Sequence, residues 1–200
     1  MADTKERILR TALELFADKG YEATSVGDIA GALGLTKGAL YRHYESKEAI
    51  FRNILARMEQ RDAQEARDHD LPEGTAAEEQ AAYERATAED IVAFSKAMFR
   101  YWTEDPFAAP FRRMLTVEQF RSADMGRLYQ QYLAAGPMGY VADLLRALGL
   151  SDPEGRAAAF YGPMFLLYSV YDGAEDKAAV TARLDEYMEN AKQSLTGEEQ

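Results

Sequence analysis

Between Thr36 and Lys47 the chain sets a hydroxyl (Thr36), three cations (Lys37, Arg42, Lys47), a phenol (Tyr41) and an imidazole (His43) around Gly38. Such side chains donate hydrogen bonds to phosphate oxygens and base edges, and a glycine among them suits a surface pressed into a major groove. Other chemistry has little to stand on. There is no nucleophile elbow, no phosphate-binding P-loop and no glycine-rich dinucleotide fingerprint. With two histidines and no cysteine, a metal site would have to rest on carboxylates. The acidic segment at Glu78-Glu79 is more simply a solvated helix face, and His69 has no partner in view. No enzyme activity, metal or cofactor is expected. The lack of cysteine agrees with a reducing cytoplasm, the expected location.

The elements that must carry these residues are helical throughout, because apolar residues recur at helical spacing and no stretch alternates as a strand would. Asp3 and Glu6 open a first helix, Ile8, Leu9, Ala12, Leu13 and Phe16 mark its buried face, and Gly20 stops it. Ser25 with Asp28 opens a short second helix whose stripe is Val26, Ile29, Ala30 and Leu33. Gly34 reverses the chain, Thr36 caps a third short helix, and Ser46 caps a fourth bearing Ile50, Phe51, Ile54, Leu55 and Met58. Two short helices joined by a tight glycine turn after a supporting helix form a helix-turn-helix pattern. Ala30 is small where the pair must approach, and Leu35 and Leu40 can fill the space beneath.

Charge is segregated along the chain. Residues 1–52 hold eight Lys/Arg and eight Asp/Glu and are neutral, so the whole net charge of −11 resides in the remainder. An acidic total therefore does not exclude a nucleic-acid partner. A DNA-binding protein should focus Lys5, Lys37, Arg42, Lys47 and Arg52 on one face. The rival reading is a helical dimerisation or adaptor module that has lost DNA binding.

The run TSVGDIAGALGLTKGALYRHYESKEAIF, with Phe16, Gly20 and Tyr21 ahead of it, resembles the DNA-binding signature of the TetR/AcrR transcriptional regulators. The resemblance covers about residues 5–55. It implies an all-α fold, with a helix-turn-helix domain at 1–52 and a helical ligand-binding and dimerisation domain at 53–200. It also implies a homodimeric repressor that binds a palindromic operator in double-stranded DNA and is released by a small-molecule inducer. By the same resemblance Thr24, Ser25, Thr36, Tyr41, His43 and Lys47 touch phosphate or sugar, whereas Lys37, Gly38 and Arg42 lie near base edges. The first turn of a helix disfavours a cation, which also argues for phosphate beside Lys47. Gly27 and Gly31 depart from the pattern, each lowering helix propensity by about 1 kcal/mol and removing a possible phosphate contact.

Beyond a breaker at Leu71-Pro72-Glu73-Gly74, capping patterns at Thr75-Glu78 and Thr87-Asp90 open further helices, the second reaching about Glu104. Helices follow at 106–120, 124–148, 153–172 and 177–195. Gly136-Pro137 and Gly162-Pro163 should each kink or split the helix that contains them. The longest uncharged run, Ala157 to Tyr171, is too short to span a bilayer. Aromatics are abundant here, and a pocket lined by Phe99, Trp102, Met114, Tyr129, Tyr132, Tyr161 and Phe165 would take a flat, largely apolar, neutral or cationic molecule. The stripe Val180, Leu184, Tyr187, Met188 and Ala191, continuing to Leu195, is the expected dimer interface.

Overall fold

Residues 2–68 and 87–195 are described by a computed structural model, and every regular element among them is an α-helix. In order these are α1 (Ala2–Lys19), α2 (Val26–Ala32), α3 (Lys37–Tyr41), α4 (Lys47–Asp68) and α5 (Ala88–Glu104). Then come α6 (Ala108–Glu118), α7 (Ala123–Leu133), α8 (Ala135–Ala147), α9 (Pro153–Gly173) and α10 (Lys177–Leu195). His69, the breaker at 71–74, the helix opening at Thr75 and Glu78-Glu79 lie outside the described residues.

Packing divides the chain into two compact units, Met1–Gln64 with Pro106–Tyr129, and Glu65–Asp105 with Gln130–Gln200. This division places α6, from the far half of the sequence, in one unit with α1. In that unit α1 buries Ile8, Leu9, Ala12, Leu13 and Phe16, the set its helical period selects. Phe107, Phe111, Met114 and Leu115, on and just before α6, are buried with them, and α1 packs against α6.

The second unit is held by an antiparallel pair, α5 and α10. Lys96 bonds Glu189, Arg100 bonds Asp185 at 3.1 Å, and Glu89 pairs with Lys192. Exposed pairs of this kind add little stability each, but in series they fix the register of one helix on the other. Beneath them Phe99 stacks on Tyr168 with centroids 5.2 Å apart and meets Tyr171 edge-on.

The two Gly-Pro dipeptides behave differently. At Gly136-Pro137 the helix splits: α7 ends at Leu133 and α8 starts at Ala135. A Cβ on Gly136 would lie 1.9 Å from the carbonyl oxygen of Gln131, so no larger residue fits the close approach. At Gly162-Pro163 α9 continues as one helix with Pro163 inside it. Each proline lacks the N–H that would reach the carbonyl four residues back, and each orphaned carbonyl receives a tyrosine hydroxyl instead. Tyr161 donates to Leu133 O at 2.7 Å, covering the gap left by Pro137. Tyr187 donates to Ala159 O at 2.7 Å, covering the gap left by Pro163.

Among the described residues no helix is long and apolar enough to cross a membrane, and no cluster of His, Asp or Glu could hold a metal ion.

Candidate nucleic-acid interface

The helix-turn-helix is built from short-range bonds. Ser25 accepts the Asp28 N–H while the Asp28 carboxylate accepts from the Ser25 N–H, a complete capping box that starts α2. These bonds, from the Ser25 hydroxyl and N–H, hold the Asp28 carboxyl below its ordinary 3.8. At the other end Gly34 takes φ +66°, its N–H reaches Gly31 O, and the Leu35 N–H reaches Ala30 O at 2.8 Å. That is the paired-bond helix stop for which glycine is suited. Thr36 then caps α3 by accepting the Ala39 N–H. Leu40 and Ala30 are buried between the helices, as their sizes suggested, and Leu35 is half-buried.

Leu40 points inward, so the rest of α3 faces out. Thr36, Lys37, Gly38, Tyr41 and Arg42 are all exposed, Tyr41 by half its surface. A Cβ on Gly38 would meet nothing within 4 Å, so this face is open for close approach. A Cβ on Gly27 would lie 2.6 Å from Lys37 Cε, near the end of a flexible side chain that can move aside. Gly31 is open to solvent.

The flanking residues are less uniform. Ser25 is exposed and His43 half-buried. Thr24 is fully buried and its hydroxyl donates to Gly20 O at 2.9 Å and Leu15 O at 3.2 Å. Lys5 lies 5.7 Å from the Tyr44 ring centroid, and Arg52 pairs with Glu45 at the surface. Lys47 is turned inward: its ammonium donates to Tyr21 O at 2.8 Å and sits 4.2 Å over the Tyr21 ring.

Tyr21 is thereby held at both of its backbone polar groups. Its N–H donates to Glu118 Oε1 at 3.0 Å and its carbonyl accepts from Lys47. Phe16 and Phe51 pack on its ring with centroids 5.1 and 5.2 Å away. Burial first, then the charges of Glu48 and Glu22, push the hydroxyl up to about 12. Glu118 had no signal in the sequence, since nothing around it marks a partner 97 residues away.

Residues 8–54 match the sequence model of the bacterial regulatory proteins of the tetR family. The likeness in sequence is thus to the DNA-binding part of that family. The chain is 50% identical over 50 residues to the uncharacterised HTH-type transcriptional regulator YerO of Bacillus subtilis, covering 25% of this chain and 17% of that one. It is 44% identical over 52 residues to the HTH-type transcriptional regulator AcrR of Shigella flexneri, covering 26% of this chain and 24% of AcrR. The chain thus spans about a quarter or less of the length of these curated relatives. Over nearly its full length it is similar in fold to solved regulators. For a TerR/AcrR-family regulator of Aquifex aeolicus the TM-score is 0.64 at 22% identity, covering 94% of this chain and 98% of that one. For a TetR-like regulator of Rhodococcus it is 0.68 at 20% identity, covering 99% and 98%.

The residues singled out for a ligand fall into different units. Met114 and Tyr129 belong to the first, and Phe99, Trp102, Tyr132, Tyr161 and Phe165 to the second. Phe99, Trp102 and Tyr161 are buried, Tyr132 is half-buried, and Phe165 is exposed. Of the dimer residues, Val180, Leu184 and Met188 are already buried within one chain, and Tyr187 and Ala191 are half-buried.

Proposed function

We propose that this protein is a homodimeric transcriptional repressor of the TetR family, working in the cytoplasm and with no enzymatic activity. It binds a palindromic operator through α3 and leaves it when a small molecule binds the second unit. The observation that carries the reading is the outward face of α3, where Thr36, Lys37, Gly38, Tyr41 and Arg42 are exposed over a buried Leu40. A short helix held by its caps and one anchor presents that face to a major groove. Selection from a random DNA pool should enrich an inverted repeat, with binding that weakens steeply as salt rises. A pool that enriches no motif at low salt contradicts the reading.

Dimerisation in this reading draws chiefly on α9. Its exposed Phe165, Leu166 and Val170 lie among exposed Gly162, Ser169 and Gly173, small residues that allow close helix approach, with Asp172 exposed at the C-terminal end. Pairing α9 and α10 with their symmetry mates gives a four-helix bundle. Val180, Leu184 and Met188 support that bundle from within the chain, with Tyr187 and Ala191 at its margin. Leu166→Glu with Val170→Glu should give a folded monomer by light scattering; an unchanged dimer mass places the interface elsewhere.

The ligand reading is restricted to the second unit, with Phe99, Trp102, Tyr132, Tyr161 and Phe165 as its aromatic candidates for a flat apolar molecule. Release requires the ligand to bind the DNA-incompetent state more tightly, since equal affinity for both states shifts nothing.

A further inference from the structure

We propose that Glu118 and Lys47 are positioning residues for DNA binding, holding the backbone of Tyr21 at its N–H and its carbonyl and so fixing the turn that carries α2 and α3. The inference rests on the DNA-binding reading. A carboxylate accepts the Tyr21 N–H at 3.0 Å and an ammonium donates to the Tyr21 carbonyl at 2.8 Å. Hydrogen bonds to ionised partners are shorter and stronger than neutral ones. Both groups are withdrawn from water: the Glu118 side chain is 2% exposed and that of Lys47 16%. Arg121, 3.4 Å from Glu118, offsets the cost of placing that carboxylate inside.

Three helices meet at this one residue. Glu118 is the last residue of α6, Lys47 the first of α4, and Tyr21 lies just beyond the end of α1. The turn then passes directly into the motif, through the Thr24 hydroxyl on Gly20 O and the Ser25 cap of α2. Gly20, at φ +88°, is part of the fit: a Cβ there would stand 2.8 Å from Glu118 Oε1. Both chain connections of the Pro106–Tyr129 segment, which contains α6, run to the second unit, so Glu118 ties the Tyr21 turn to the one segment that interrupts that unit in sequence.

A phosphate-binding Lys47 and a positioning Lys47 differ in one measurable way. Neutralising a phosphate contact lowers the slope of log affinity against log salt by about one, whereas a misplaced motif loses affinity with the slope kept. The experiment uses the full-length protein and a DNA fragment selected by the wild type, titrated across salt. Lys47→Met and Glu118→Ala should each weaken binding roughly tenfold with the wild-type slope, as expected for losing one partner of a buried hydrogen bond. Glu118→Gln, whose amide oxygen still accepts the Tyr21 N–H, should restore most of the affinity. The double variant Lys47→Met/Glu118→Ala should lose less than the product of the single losses, because both act through one residue. A slope reduced by about one in Lys47→Met, or unchanged affinity in Glu118→Ala, overturns the inference. If Glu118→Ala fails to fold, the slope of Lys47→Met decides alone. A wild type that selects no DNA sinks the functional reading itself, whereas a wild type that binds as tightly as its variants sinks only the clamp.

Discussion

The stretch from Ser25 to Tyr44 and the stretch from Leu133 to Tyr187 both interrupt helices, and they repair the interruption in opposite ways. In the first, each cap and stop is made by residues three to five positions apart: Ser25 with Asp28, Ala30 with Leu35, Thr36 with Ala39. In the second, the carbonyls orphaned by Pro137 and Pro163 are reached by tyrosines 28 residues further on than the carbonyls they cover. Local repair makes a small unit that holds its own shape. Distant repair ties the integrity of a helix break to the placement of another helix.

That difference can be tested by removing single atoms. Tyr161→Phe strips the donor from a buried carbonyl and should destabilise the protein by about 1–3 kcal/mol. Tyr187→Phe strips one from an exposed bond and should cost less, about 0.5–1.5 kcal/mol. Urea midpoints at constant m-value measure both. Equal losses would remove the role assigned to burial.

A smaller effect compares one device in both regions. Ser25 and Thr87 each close a capping box with an aspartate three residues on, and Ala at either should cost about 1 kcal/mol. Only Ser25→Ala should also weaken DNA binding, because only that box starts a helix of the motif. The same boxes set a pH dependence. Hydrogen bonds from Ser25 and Thr87 hold the Asp28 and Asp90 carboxyls below their ordinary 3.8. The stability they add is therefore present above that pH and lost as pH falls below it. An acid titration of the wild type against the two alanine variants should show the variants losing less; parallel curves would mean the boxes do not titrate with folding.

The same contrast explains what could be read from the sequence. The caps at Ser25, Thr36, Ser46 and Thr87 and the stop at Gly34 were legible because each is a pairing of near neighbours with a fixed residue preference. The split at Gly136-Pro137 was legible as a disturbance, but not the tyrosine that closes it. Gly162-Pro163, the same dipeptide, leaves α9 whole; both sites have a tyrosine donor, and they differ in the backbone pressed against Gly136 and the open space at Gly162. Lys47 suggested phosphate because a cation is out of place at a helix start, yet its ammonium is occupied by the Tyr21 and Glu22 carbonyls. Nothing in the run from Thr103 to Phe120 announces that α6 packs on α1 or that Glu118 reaches Tyr21.

In the proposed function exposed α3 reads DNA sequence while its surroundings hold it in place. Repeating the selection from a random pool with Arg42→Ala tests this most directly, because a residue at the base edges changes which sequence is preferred and a positioning or phosphate residue does not. The enriched motif should relax at the same position in both half-sites, with the rest of the inverted repeat retained. An Arg42→Ala protein that enriches the wild-type motif, merely bound more weakly, contradicts it.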